Sequence, residues 1–187
     1  PLASRLANIL MKEVVVRSNF GIDLHTAAAN RTNLPQVRSK FADETTRELG
    51  RAFGAPVMLT APERDGSLRE AAAKTGCAVL VYEGGEGLRF DEFAIRVGVR
   101  GILGVMQAKG MIELPADPNS FERPIFATQS SWIRAPEGGV LLSFKTTGDT
   151  VEPDEVIAAV ANPYEDSETP VKAHKRGMII GRTRLPV

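Results

Sequence analysis

The sequence predicts an α/β domain with a mixed sheet flanked by helices, followed by a small all-β domain. Helical and extended patterns alternate from residue 1 to about residue 110, which is typical of a sheet covered by helices. Residues 77–82 form a nearly unbroken apolar run, as expected for a strand with helices over both of its faces. From about Ser130 the apolar residues occur in short extended runs separated by glycine turns, which indicates all-β structure.

Composition excludes several classes of protein. Basic and acidic residues number 23 each, so the net charge is zero; nucleic acid and membranes are not expected as partners, because both favour a positive surface. The single cysteine, Cys77, excludes a disulfide framework within the chain and a multi-cysteine zinc site. No stretch is apolar over the length of a membrane span and no signal peptide is recognised, so we expect a cytoplasmic protein.

The α/β part divides into regular segments. Apolar residues alternate or run together in four predicted strands, at residues 20–25, 35–38, 56–60 and 77–82. Periodic apolar residues and capping residues predict four helices, at residues 2–16, 43–53, 67–75 and 91–108. Gly54 is expected to end the second helix and Gly76 the third.

The β-rich tail contains an internal near-repeat. Residues 133–142 and 171–180 align at Ala135 with Ala173 and at Gly139 with Gly177, which predicts a small pseudo-symmetric sandwich or barrel. We therefore divide the chain into residues 1–128 and 129–187, and expect each domain to be incomplete at its outer end. Twin units of this kind also resemble biotinyl and lipoyl carrier domains, but the connection at 162–167 lacks the lysine that a carrier needs. The tail is interpreted as a lid or an oligomerisation module, which leaves a homo-oligomer open.

Two polar residues stand near the ends of predicted strands. Asp23 and His25 alternate with the apolar Phe20, Ile22 and Leu24, so both fall on the polar face of the first strand. Such a histidine is either a metal ligand oriented by the aspartate or a buried histidine with a satisfied hydrogen bond. Glu83 follows the last predicted strand and is either a site residue or a solvated loop residue. Because sites form at the carboxyl ends of strands in open α/β sheets, we expect His25 and Glu83 to share a cleft.

This pair predicts metal-assisted hydrolysis. His25 would bind zinc, Asp23 would hold the other ring nitrogen, and Glu83 would take a proton from metal-bound water, whose pKa zinc lowers to about 7. A catalytic zinc requires three protein ligands, however, and the other histidine, His174, stands beside Lys175 and Arg176 in a segment expected to be an exposed turn. We therefore expect this sequence to hold only part of the predicted zinc site.

Several segments resemble one known family. They are Asp23-Leu24-His25-Thr26, Asn30-Arg31, Pro35-Gln36-Val37-Arg38, Val81-Tyr82-Glu83-Gly84-Gly85 and the tail from Trp132 to Val151. Together they are similar to the succinylglutamate desuccinylase/aspartoacylase family. The resemblance implies a zinc carboxypeptidase-like fold, His25 as the third zinc ligand and Glu83 as the catalytic carboxylate. The family's first two ligands come from an upstream His-Gly-x-Glu segment, which residues 1–18 do not contain. The resemblance therefore implies further ligands for Zn²⁺ upstream of Pro1.

The resemblance implies an enzyme that cleaves the amide bond of a small N-acyl amino acid. Desuccinylase, aspartoacylase and N-acetyl-diaminobutyrate deacetylase activities are the candidates. Arg31 and Arg38, with Asn30 beside them, are predicted to bind the substrate, because a guanidinium pairs with a carboxylate through two hydrogen bonds; either arginine is otherwise a surface charge. The alternative is a catalytically inactive binding or scaffold protein of the same fold.

Overall fold

The computed structural model describes residues 1–115 and 124–187; residues 116–123, which fall in the first predicted domain, lie outside the described residues. The helices are α1 (Leu2–Glu13), α2 (Glu44–Phe53), α3 (Leu68–Ala73) and α4 (Glu92–Ala108), with a short 3₁₀ helix at Val15–Arg17. The strands are β1 (Phe20–Ala27), β2 (Arg31–Ser39), β3 (Val57–Thr60), β4 (Ala78–Glu86), β5 (Ile125–Ala127), β6 (Val140–Ser143), β7 (Thr150–Val151), β8 (Val156–Ala161), β9 (Glu168–Lys172), β10 (Gly177–Met178) and β11 (Gly181–Thr183).

The main sheet is mixed, as the sequence predicts. Its strands lie in the order β1-β4-β2-β3-β5, and β11 pairs with β2 beside them. β4 runs parallel to β1 and antiparallel to β2, while β2, β3 and β5 run parallel to one another. The predicted interior position of the apolar strand is confirmed, because β4 has a partner on each side.

The predicted ends of the first and last α/β strands are wrong. β1 continues past residue 25 to Ala27, and β4 continues through the glycines to Glu86. Gly85 pairs with Asn33 of β2, and Glu86 pairs with Ala27 of β1. Pairing with the neighbouring strands therefore keeps this segment extended, although its glycine content alone favours a turn.

Helices cover both faces of β4. Leu80 and Tyr82 pack with Leu49 and Phe53 of α2 and with Val97 of α4. The alternate residues Cys77 and Val79 contact the opposite cover, which the 3₁₀ helix and α3 supply. Burial raises the pKa of the Cys77 thiol, which serves as a small apolar residue of this core cluster.

Local capping sets the helix boundaries. Asp43 accepts a hydrogen bond from the Thr46 backbone at 2.9 Å and caps α2, which ends at Gly54 with φ of 63°. Ser67 accepts from the Glu70 backbone at 3.2 Å and caps α3 as predicted. A reciprocal capping box would have the Glu70 carboxylate accept from the Ser67 backbone, but it accepts from the Gly66 backbone at 3.4 Å.

Helix α4 approaches the core closely through its glycines. A Cβ at Gly98 would lie 3.1 Å from the Tyr82 ring, and one at Gly101 would overlap the Phe53 ring. These glycines thus allow α4 to pack closely against the core.

The tail is all-β within the described residues, as the sequence predicts. β6, β8 and β9 form an antiparallel sheet, and β7 pairs with β10. The chain then returns to the main sheet, where Arg182 of β11 pairs with Thr32 of β2. The domain boundary at residue 128 stays a prediction.

None of the helices in the described ranges has the length and apolar character to cross a membrane.

The variant Gly101→Ala should lower the free energy of unfolding by about 1–2 kcal/mol. The added methyl group collides with Phe53, and overpacking outweighs the roughly 1 kcal/mol that alanine gains in a helix. Urea denaturation measures the change. Gly138→Ala is the control, since no atom lies within 4 Å of its added Cβ; equal stability of both variants would contradict the close packing.

The Asp43 cap should make α2 sensitive to acid. The Thr46 backbone hydrogen bond lowers the pKa of Asp43, so its stabilisation is complete above the unfolded-state pKa of about 4 and is lost as pH falls through the folded-state value. Asp43→Ala should cost about 1 kcal/mol at pH 7 and less at pH 3.5, measured by chemical denaturation. Asp43→Asn, which keeps an acceptor without the charge, should show a smaller loss at pH 7; a pH-independent cost of the alanine variant would contradict this account.

Candidate active site

His25 and Glu83 lie side by side on neighbouring strands. The parallel register of β1 and β4 pairs His25 with Glu83 and Asp23 with Val81. Side chains at paired positions project from the same face of a sheet, while Phe20 and Ile22 pack into the core on the other face. The structure therefore brings together the two residues that the sequence placed in a common cleft, although their chemical roles stay predictions.

Asp23 contacts the imidazole of His25. The Asp23 Oδ2 atom lies 3.0 Å from His25 Nε2, and the imidazole is half exposed. Their spacing of two residues along β1 places both side chains on one face. This contact orients the ring and directs Nδ1 away from Asp23, the arrangement that a ligating histidine with an orienting carboxylate requires.

Two side chains of β2 contact the Glu83 carboxylate. Asn33 Nδ2 donates to Glu83 Oε2 at 2.9 Å, and Arg38 Nη2 lies 3.5 Å from the same oxygen. Arg38 was predicted from the sequence as a substrate-binding residue, whereas Asn33 was not predicted. One carboxylate oxygen is thus held by an amide and a guanidinium.

An irregularity in β2 brings the Asn33 side chain to the face of the sheet that carries Glu83. Asn33 pairs with Gly85, and Gln36 pairs with Glu83. A spacing of three residues puts side chains on opposite faces of a regular strand, but the shift of register between them returns both to the face of Glu83. Pro35 lies in the irregular segment, where it has no N–H to donate. A proline inside an extended pattern was the available sign of this irregularity.

Asn30 lies in the turn before β2, and Arg31 is the first residue of that strand. The Asn30 backbone donates to Glu86 Oε1 at 3.0 Å, and the Arg31 guanidinium stacks 5.3 Å from the centre of the Trp132 ring. The structure thus connects these residues to the end of β4 and to the tail, whereas Arg38 contacts Glu83 directly. Substrate binding by Asn30 and Arg31 stays a prediction.

Glu86 joins the tail to the main sheet. Its side chain is 9% exposed, and its Oε2 lies 3.1 Å from Nη1 of Arg184, which follows β11. The Arg184 backbone also donates to the Asn30 carbonyl at 2.8 Å. An open cleft adjoins this ion pair and is lined by Asn30, Glu86, Arg89, Phe90, Asp91 and Arg184.

Arg69 adds positive charge near Glu83. Burial lowers the pKa of its guanidinium; Glu63 opposes this shift, while Arg38 reinforces it through repulsion. The Glu83 charge also opposes this shift, by less than Glu63 does. Arg38 is therefore the arginine that contacts the Glu83 carboxylate directly, while the guanidinium of Arg69 contacts the Pro62 carbonyl.

The described residues do not make up a zinc site by themselves. Within residues 1–115 and 124–187, no three His, Cys, Asp or Glu side chains meet in a way that could hold a metal ion. A catalytic zinc needs three protein ligands, and His25 supplies a single imidazole. Zinc bound at His25 would require ligands from outside the described residues.

Residues 2–109 match the model of the succinylglutamate desuccinylase/aspartoacylase catalytic domain. This match covers more than half of the chain. The chain belongs to the succinylglutamate desuccinylase/aspartoacylase family. The resemblance identified from the sequence is thereby confirmed, and the family is hydrolytic.

Solved structures of the family share the fold. A succinylglutamate desuccinylase/aspartoacylase from Rhodobacter sphaeroides is 20% identical, with a TM-score of 0.82 over 97% of this chain and 58% of that one. The product-bound ectoine utilization protein from Ruegeria pomeroyi is 15% identical, with a TM-score of 0.83 over 98% of this chain and 58% of that one. An aspartoacylase family protein from Mesorhizobium loti is 18% identical, with a TM-score of 0.78 over 99% and 58% of the two chains.

These similarities establish the α/β fold with its mixed sheet. The chain spans 58% of the length of each of these three relatives. No curated protein matches the sequence.

The Arg184→Met variant should lower the free energy of unfolding by about 1–2 kcal/mol. The loss leaves the buried Glu86 carboxylate with the Asn30 backbone as its one hydrogen-bond donor among the described residues. The 58% exposure of the Arg184 side chain keeps the cost below that of a fully buried pair. Urea denaturation measures the effect. The matched control is Arg176→Met, which breaks an exposed ion pair with Glu152 and should cost less than about 0.5 kcal/mol. Equal costs would show that the Glu86 pair does not anchor the tail.

Proposed function

We propose that the chain carries part of the active site of an amidohydrolase that cleaves the amide bond of a small N-acyl amino acid. The observation that supports this function best is the register of β1 and β4, which sets His25 beside Glu83 on one face of the sheet. Desuccinylase, aspartoacylase and N-acetyl-diaminobutyrate deacetylase activities remain the candidates, the last because one similar structure is an ectoine utilization protein.

Glu83 is the proposed general base. Asn33 and Arg38 hold its Oε2 atom, and Oε1 is the proposed acceptor of the proton from the reacting water. Glu83 takes a proton from the water as that water attacks the acyl carbonyl, and then transfers the proton to the nitrogen of the departing amino acid. The carboxylate regains its charge when the amine leaves.

His25 is proposed as one ligand of Zn²⁺, with Asp23 orienting its ring. When bound, zinc would activate water and polarise the acyl carbonyl. Arg38, Arg31 and Asn30 are proposed to bind the carboxylate of the substrate, a small N-acyl amino acid. Arg38 is the best placed of the three, because it already lies beside Glu83.

A barrel-sandwich arrangement of residues 129–187 is also proposed. It is supported by the antiparallel sheet of β6, β8 and β9 and by the pairing of β7 with β10.

A binding or scaffold protein of the same fold is the alternative. The observation that favours it is the lack, within the described residues, of a group able to hold a metal ion. Elemental analysis of the purified full-length protein separates the two functions. A stoichiometric divalent ion favours the hydrolase, and its absence favours the scaffold.

The Glu83→Gln variant should lower kcat for hydrolysis of the accepted N-acyl amino acid by about 10²- to 10⁴-fold, because glutamine cannot accept the proton. Released amine is measured for the full-length protein over a panel of N-succinyl, N-acetyl-diaminobutyrate and N-acetyl-aspartate substrates. The control Glu137→Gln removes an exposed carboxylate in the tail and should leave kcat unchanged. Full turnover by Glu83→Gln would remove Glu83 from the role of general base.

A further inference from the structure

Trp132 of the tail lies over the guanidinium of Arg31. The Arg31 Cζ atom is 5.3 Å from the centre of the indole ring, within the range of a cation–π contact. Arg31 begins β2, whereas Trp132 precedes β6, so the contact joins the tail to the main sheet. The tryptophan remains 63% exposed. Core packing therefore gives little reason for so large an aromatic side chain at this position.

Stacking holds a guanidinium in place without using its hydrogen-bond donors. The aromatic ring covers one face of the planar group, while the N–H groups point outward in the plane. Arg31 is exposed, and none of the described residues accepts a hydrogen bond from its guanidinium or pairs with it as a carboxylate. Arg38, by contrast, already lies beside Glu83. The donors of Arg31 are thus left for another acceptor.

The strand places Arg31 on the face of the sheet that carries Glu83. Arg31 and Asn33 pair in regular register with Thr183 and Gly181 of β11, so their side chains lie on one face. The Asn33 side chain donates to Glu83 on that face. Two residues of strand span about 7 Å, so Arg31 begins about that far beyond Asn33. Its long side chain is therefore in reach of a small substrate whose amide lies at Glu83.

We propose that Trp132 is a positioning residue that holds Arg31 ready to bind a carboxylate of the substrate. This inference rests on the proposed hydrolysis of an N-acyl amino acid. The carboxylate pairs with the in-plane N–H groups of Arg31 through two hydrogen bonds, while the indole covers one face of the guanidinium. Restricting a long side chain before the substrate arrives lowers the entropy cost of binding. The tail thereby acts on the substrate site through its contact with Arg31.

Quenching by ions tests whether an anion reaches Arg31 while it is stacked. Trp132 is the one tryptophan of the sequence, and subtracting the spectrum of Trp132→Phe isolates its emission in the full-length protein. Because a cation beside the ring concentrates iodide there, Arg31→Met should lower the iodide quenching constant about twofold at constant ionic strength. Quenching by neutral acrylamide should not change.

Arg51→Met is the matched control for this measurement. It removes the same charge from α2, which packs on the opposite face of the sheet, and should leave iodide quenching of Trp132 at the wild-type value. Equal iodide quenching of the wild type and Arg31→Met would overturn the proposal, since the guanidinium would then not be open to an anion beside the ring.

Kinetics test the positioning role on the accepted N-acyl amino acid. Trp132→Leu should raise KM about fivefold while kcat stays within about twofold, and Arg31→Met should raise KM at least as much. The double variant should match Arg31→Met alone, because Trp132 acts through Arg31. Trp132→Phe keeps an aromatic face and should recover most of the loss. Additive effects of the two changes, or reduced stability with KM unchanged, would overturn the proposal.

Binding of succinate separates this inference from the proposed function. If the full-length protein hydrolyses none of the N-acyl amino acids, Trp132 emission is followed during titration with succinate, with uncharged succinamide as the control. A saturable change with succinate that Arg31→Met abolishes would support the positioning of Arg31 and count against the hydrolase function alone. No saturable change with succinate would overturn the inference as well.

Discussion

The hydrogen-bond ladder between β1 and β4 is the constraint on which the rest of the candidate site depends. A slip of one residue would turn Glu83 toward the helical core and Tyr82 toward the polar cleft. The register is maintained by packing on the opposite face, where Leu80 and Tyr82 contact Phe53 and the glycine-rich face of α4. Packing of the apolar core on one face of the sheet thus determines the positions of the polar residues on the other face.

β2 contributes most of the polar surroundings of Glu83. Its irregularity places Asn33 and Gln36 on the same face as the carboxylate, and Arg38 follows on that face. The tail contacts this strand at the irregular point, where Leu34 donates to the Ile180 carbonyl at 3.0 Å. The ion pair of Arg184 with Glu86 attaches the tail at the end of β4. The tail therefore supports the strands that surround Glu83.

The site also shows a balance between stability and chemistry. Arg69 is partly buried, which lowers its pKa, and Gln36 is buried without a partner among the described residues. Both are unfavourable when judged as core packing, and Gln36 is paired in the sheet with Glu83. Such local departures from optimal packing are expected where binding or catalysis requires polar groups in a desolvated place.

The sequence by itself determined the features that depend on residues close together in the chain. The cap of α2 at Asp43, its end at Gly54 and the alternation that places Asp23 beside His25 all arise within a few residues. Only the tertiary structure decided the extension of β4 to Glu86, the contact of Asn33 with Glu83 and the pairing of Glu86 with Arg184. The partners in these two contacts are 50 and 98 residues apart, and strand pairing over such distances is not encoded in a local pattern.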